Sequence, residues 1–88
     1  MREIINEKIS VVSIYSSKKR CFVPYSLSWQ NRDYKIGKIG FRHQIKNGNT
    51  LHHIFECVDN QNTVWFRLNL DTKNLSWTLE VVSDGLVE

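Results

Sequence analysis

Three histidines and two cysteines are the residues of this chain best suited to metal or nucleophile chemistry: His43, His52, His53, Cys21 and Cys57. Two imidazoles and a thiolate that converge can hold zinc or copper. If Asn47-Gly48-Asn49 forms a three-residue hairpin turn, His43 falls opposite His53, with Cys57 further along the face of His53. Four residues of strand separate His53 from Cys57, about 13 Å at a rise of ~3.3 Å per residue, so the trio does not close on an ion without a sharp bend. A thiol nucleophile needs a base within hydrogen-bond reach. Cys21 has Arg20 and Phe22 beside it instead, and Cys57 belongs to an inward-facing set. Glycine-rich phosphate loops, paired carboxylates and a serine elbow are absent, and Asp33, Asp71 and Asp84 fall where turn chemistry accounts for them. The expectation is a domain that is not an enzyme, with no cofactor.

The cations are distributed more tellingly. The chain carries a net charge of +3, but residues 18–46 hold eight cations against Asp33 alone, whereas residues 47–88 hold two against six carboxylates. Lys18, Lys19, Arg20, Lys35, Lys38 and Arg42 form a candidate nucleic-acid set, since cations that meet phosphates are the electrostatic mark of such proteins. A bland reading competes with it: lysines on an edge strand also prevent sheets from joining edge to edge. Tyr25, Trp29, Tyr34 and Phe41 are interleaved with these cations, but their alternation assigns them to the core, where they stack no bases.

Those residues need a sheet to position them. Val23, Tyr25, Leu27 and Trp29 alternate, and Tyr34 and Ile36 resume the alternation after Gln30-Asn31. A two-residue turn there sets Leu27 opposite Tyr34 and Tyr25 opposite Ile36. Pro24 places its strand at an edge or beside a bulge. The first strand spans Lys8 to Tyr15, with apolar residues on both faces. The third runs from Arg32 to about Gln44, and its inward parity switches near Gly37, where glycine tolerates a bulge. Lys38 and Arg42 then point outward. Strands over Thr50–Val58, Thr63–Leu70 and Leu75–Val82 follow. The expected pairs are Cys57 with Val64, Phe55 with Phe66 and His53 with Leu68, then Leu70 with Leu75, Leu68 with Trp77, Phe66 with Leu79 and Val64 with Val81. This predicts an all-β, roughly six-stranded antiparallel meander closing into a small barrel over residues 8–84, with residues 1–7 a flexible lead-in and 85–88 a tail.

On the outward face of the same strands, Trp65 stands beside Glu56, Glu80 and Arg67. Together with Ile54 it makes a candidate partner-binding patch of Ile54, Trp65, Arg67 and Glu80. Cover from the first strand or the lead-in is the competing reading for Trp65.

The pattern Trp29-x-x-Arg32-x-Tyr34-x-Ile36, preceded by a proline-aromatic strand and closed by Trp77-x-Leu79-x-x-Val82, resembles a group of short prokaryotic all-β domains of unknown function. Those carry a W-x-G-R-x-Y-x-V strand turn and a C-terminal W-x-L strand, and the likeness covers about residues 20–82. Asn31 stands where that pattern has glycine, and asparagine also visits the left-handed region. The resemblance implies a compact β domain and passes on no activity.

No run reaches the roughly 18 apolar residues of a membrane span, and the first residues lack a signal-peptide core. The expected setting is cytoplasmic, with no membrane partner. The leading expectation for use is a non-catalytic binding or self-association module with a protein partner or a second copy; nucleic acid through the basic strands is the alternative.

Overall fold

The turn at Gln30-Asn31 forms as expected. Both residues have positive φ, 52° and 61°, the requirement of the tight hairpin turn whose twist matches its strands. Leu27 stands opposite Tyr34 and Trp29 opposite Arg32. In a computed structural model of the chain, residues 2–84 are described. They form six strands: β1 (Arg2–Ser16), β2 (Cys21–Trp29), β3 (Arg32–Asn47), β4 (Thr50–Asp59), β5 (Trp65–Asp71) and β6 (Ser76–Ser83). Each pairs antiparallel with the next, and β1 returns to pair with β6, so the meander closes as a barrel. Met1 and the 85–88 tail lie outside the described residues.

The N-terminal residues differ from expectation. Arg2–Ile4 and Glu7–Ile9 pair with β6, interrupted by a bulge at which Asn6 takes a φ of 51°. Ile5 and Ile9 pack against the core, so residues 2–7 belong to the barrel wall rather than to a lead-in. β1 then turns to β2 from Ser10 onward, and Val12 and Ile14 remain exposed on its outer face.

The core lies against β4, β5 and β6. Phe55, Cys57, Phe66, Leu68, Leu70, Trp77, Leu79 and Val82 are buried, with Leu27 reaching in from β2. The pairs within this set are Cys57 with Phe66, Phe55 with Leu68, His53 with Leu70, Leu68 with Leu79 and Leu70 with Trp77. Each is displaced by two residues from the expected pair, whereas Phe66 meets Val82, three residues from the expected Leu79, because the ladder slips once more between Arg67 and Leu68 and sets Val81 opposite Arg67. Both connections are responsible. The Asp59 carboxylate accepts hydrogen bonds from Thr63 N (2.6 Å), Thr63 Oγ1 (2.7 Å) and Val64 N (3.1 Å), so β5 starts only at Trp65. The next loop takes Thr72–Leu75, leaving Leu75 exposed with a φ of 58° and making Asp71 the partner of Ser76. A two-residue slip preserves the faces, so the expected residues still fill the core as far as Leu79, and beyond the further slip Val82 takes the place expected of Val81.

Two smaller slips do change faces. The β3–β4 hairpin turns on Gly48-Asn49 alone, with Gly48 at φ 63° as a two-residue turn with glycine first requires. His43 thus pairs with Ile54 instead of His53. β3 also bulges twice, at Gly37 and again at Gly40. The first bulge was anticipated. The second sends Phe41 outward, opposite Glu56, and brings Arg42 inward, opposite Phe55. β2 bulges at Tyr25, between Pro24 and Ser26, and Tyr25 is exposed rather than paired with Ile36.

Candidate nucleic-acid interface

The ladder between β2 and β3 covers only Ser26–Trp29 against Arg32–Lys35. Above it the strands part. Cys21–Pro24 of β2 stays paired to β1 alone, while β3 from Ile36 to Asn47 pairs with β4 alone. The barrel therefore carries a fork on this side, with one free strand edge on each lip. Because the meander alternates direction, the β1–β2, β3–β4 and β5–β6 turns share one end of the molecule. Lys18, Lys19 and Arg20 of the first turn thus lie at the same end as Lys46 and the Gly48-Asn49 turn.

Side chains along the fork are charged and unneutralised. Lys35 faces outward beside Ser26, and Lys38 faces outward beside Val58. None of Lys18, Lys19, Arg20, Lys35, Lys38, Arg42 or Lys46 has a carboxylate partner among the described residues. Asp33, the lone anion of this segment, accepts a 2.6 Å hydrogen bond from Ser28 Oγ. Arg42 departs from its expected outward position: its guanidinium lies over the Phe55 ring, 5.6 Å from the centroid, at the inner side of the fork. His53 lies near it, edge-on to Phe22 at 5.1 Å. Burial, and then the Arg42 charge, hold the His53 imidazole below its ordinary pKa, so Arg42 is the cation of this pair at neutral pH.

Two aromatics expected in the core, one on each of β2 and β3, are exposed instead. Tyr25 is 45 % exposed and Phe41 47 %. The pair of glycines spaced three apart, Gly37 and Gly40, is the signal in the sequence that could have revealed the second bulge.

The patch expected on the opposite strands comes together differently. Ile54 is 1 % exposed and contributes no surface, a correction to its place in that patch. It sits on the outer side of β4, opposite His43 on β3 and Asn69 on β5. Arg67 donates from Nε to Glu80 Oε1 (2.9 Å) and from Nη1 to Glu56 Oε2 (3.3 Å). Asn69 Nδ2 donates to Glu80 Oε2 (2.7 Å), and the Asn69 oxygen stands 3.0 Å from His52 Nδ1, which must carry the proton there. The charges of Arg67 and Glu80 are thereby spent on each other. Trp65 is half-buried, with the Arg2 guanidinium 4.8 Å from its ring centroid, so the first strand covers it in part.

Scans against protein-family models, curated protein sequences and solved structures found no match. The chemistry of the surface alone must carry the reading.

The histidine–cysteine set does not assemble. His43 and His53 lie on opposite faces of the sheet because of the one-residue slip, and Cys57 is buried with its thiol pushed up to about 12 by desolvation. Among the described residues, no three His, Cys, Asp or Glu side chains form a metal-holding group. Among the described residues, no helix is long and apolar enough to cross a membrane.

Proposed function

We propose that this domain is a non-catalytic binding module for nucleic acid, and that Lys18, Lys19, Arg20, Lys35, Lys38 and Arg42 along the fork meet phosphates. The observation that carries this reading is the conjunction of cations without carboxylate partners and two exposed aromatic rings, Tyr25 and Phe41, on the neighbouring strands β2 and β3. Cations attract a phosphate backbone, and exposed rings accept bases, which is how small β-barrels hold nucleic acid. Self-association through the Trp65 side has less to recommend it, since Ile54 is covered and the charges of Arg67 and Glu80 are satisfied within the chain. A β3 edge joined to its own copy would also bring Lys35, Lys38 and Lys46 near like charges. A cytoplasmic setting fits the two free thiols, Cys21 and Cys57.

The test is sedimentation of the protein with short DNA of mixed sequence at low and moderate salt. The expected result is a complex that weakens as salt rises, with each single-strand phosphate contact contributing about −0.7 to the slope of log K against log salt. Lys35→Glu together with Lys38→Glu abolishes retention at moderate salt. Absence of any complex at low salt ends the reading. A dimer that persists at moderate salt without DNA redirects it to self-association.

A further inference from the structure

On the outer face of the barrel, over β4, lies a cavity of about 300 Å³. Lys38, Gly40 and Phe41 of β3 line one side, Glu56 and Val58 of β4 the floor, and Trp65 of β5 the far side. We infer that this slot receives one unpaired base of a bound strand, so that the partner is single-stranded. The inference rests on the nucleic-acid reading above.

The slot is a product of the second bulge. By sending Phe41 outward, that bulge sets a half-exposed ring two strands away from Trp65. Two strand spacings are about 10 Å, and Phe41 opposite Glu56 and Trp65 opposite Val58 are also offset by about 6.6 Å along β4, so the rings approach a base diagonally, each leaning over β4 to a contact of roughly 3.5 Å. Gly40 keeps the slot open. A Cβ at that position would meet nothing closer than the Glu56 carbonyl oxygen at 3.9 Å, so the space there is real and unfilled. The volume is at the lower limit of ligand pockets, about 300–1,000 Å³, which suits one base and not a base pair.

The surrounding charges favour a nucleotide over a bare aromatic group. Lys38, on the rim, has no carboxylate partner and stands where a phosphate attached to the inserted base would pass. Glu56, the nearby anion, is bound through Oε2 to Arg67, and that pairing offsets the repulsion it would exert on a phosphate. Arg2 stacked on Trp65 adds a second cation beside the indole. A base inside a duplex is already stacked on both faces, and entry would require it to leave the helix. A single strand gives its bases freely.

The experiment titrates the full chain with a short single strand of mixed sequence and with the same sequence as duplex, reading tryptophan emission and anisotropy. The expected result is preference for the single strand by about fivefold or more, with quenching of Trp65, since stacking of one base is worth at least that factor. Trp65→Phe retains binding and removes the quench, which separates Trp65 from the core indoles of Trp29 and Trp77. Phe41→Ala, at an exposed site, and Gly40→Val, whose Cβ has open space and whose methyls narrow the slot, each weaken the single strand roughly tenfold and leave the salt slope unchanged. If duplex and single strand bind alike without quenching, or if both variants bind as the parent does, the slot is overturned while the nucleic-acid reading stands. If neither form binds at low salt, both fall.

Discussion

The strands β4, β5 and β6 and the fork between β2 and β3 are made from the same alternating kind of sequence, yet they resolve their polar groups in opposite ways. In the first region every strand has two partners, Phe66, Leu68 and Leu79 have no exposed surface, and the outer charges bind one another from His52 through Asn69 and Glu80 to Arg67 and Glu56. In the second, strand edges lack partners, cations lack anions, and Tyr25 and Phe41 lie half in water. A β-domain of this size has a small core, and stability concentrates where apolar surface is buried. The region excused from that duty is free to keep charges and rings available to a partner.

The sharpest test of the contrast is to remove the same ring from each region. Phe66 is completely buried and meets Tyr34 edge-on at 5.2 Å, so Phe66→Ala is expected to cost about 3–5 kcal/mol, a large share of the total stability of such a domain. Phe41→Ala is expected to cost less than about 1 kcal/mol, as for most exposed sites. Urea unfolding followed by circular dichroism measures both. Equal losses would mean that the fork side is structural, and would undercut its assignment as a binding face.

The two bulge glycines of β3 differ in the same sense. A Cβ on Gly37 would come within 2.7 Å of Asn60 Cα and of the Asp59 carbonyl oxygen, backbone atoms held in place by the 2.8 Å bond from Asn60 N to Lys35 O. Gly37→Ala is expected to destabilise by roughly 1–3 kcal/mol, the scale of overpacking where nothing can give way. Gly40 has no such neighbour, and Gly40→Ala is expected to be neutral or slightly stabilising through the loss of backbone freedom in the unfolded chain. Thermal melts of the two variants decide this. A large loss at Gly40 would show that the slot is strained rather than open.

How far the sequence made this legible depends on whether a side chain's face or its exact partner was at issue. The alternation in β4, in β5 and in β6 as far as Leu79 identified the buried face because a two-residue slip leaves side chains where they were, whereas past the slip between Arg67 and Leu68 it is Val82 and not Val81 that is buried. Leu68 is therefore in the core even though it pairs with Leu79 and not Trp77. The six-stranded closed meander and the Gln30-Asn31 turn were legible for the same reason, since both rest on period and turn chemistry. Parity along β3 was not. One bulge near Gly37 accounted for the switch from Tyr34 and Ile36 to Ile39, and alternation alone then carried Phe41 and His43 inward. A second glycine bulge costs no change in composition, so Phe41 and His43 faced the wrong way and Arg42 with them. The candidate site suffered most, because it lies where the ladder is irregular. Ile54 shows the other limit: an apolar residue on an outer face is buried among cross-strand neighbours, and the hydrogen bonds that tie Asn69 to His52 and Glu80 beside it could not be read from spacing.

Titration separates the regions with a smaller effect. Asp59 is buried at the end of β4. Burial works against its charge, but the hydrogen bonds from Thr63 and Val64 outweigh it and leave the carboxyl below its ordinary pKa of 3.8. A lowered folded-state value means that the unfolded chain binds the proton more readily. The stability contributed by Asp59 is therefore complete above about pH 4–5 and is lost as pH falls through the depressed value. Asp59→Asn is expected to lower stability at neutral pH by about 1–2 kcal/mol, since hydrogen bonds to a charged acceptor are the stronger kind. It should also flatten the decline between pH 5 and the acid limit, where guanidinium unfolding of the parent weakens, by removing the titrating group itself. Lys35→Gln with Lys38→Gln, on the fork, should leave that acid profile as in the parent, because exposed cations contribute little to the folded state. A fork variant that moved the profile as far as Asp59→Asn would make the two regions one electrostatic unit, and the cations could no longer be treated as held in reserve for a ligand.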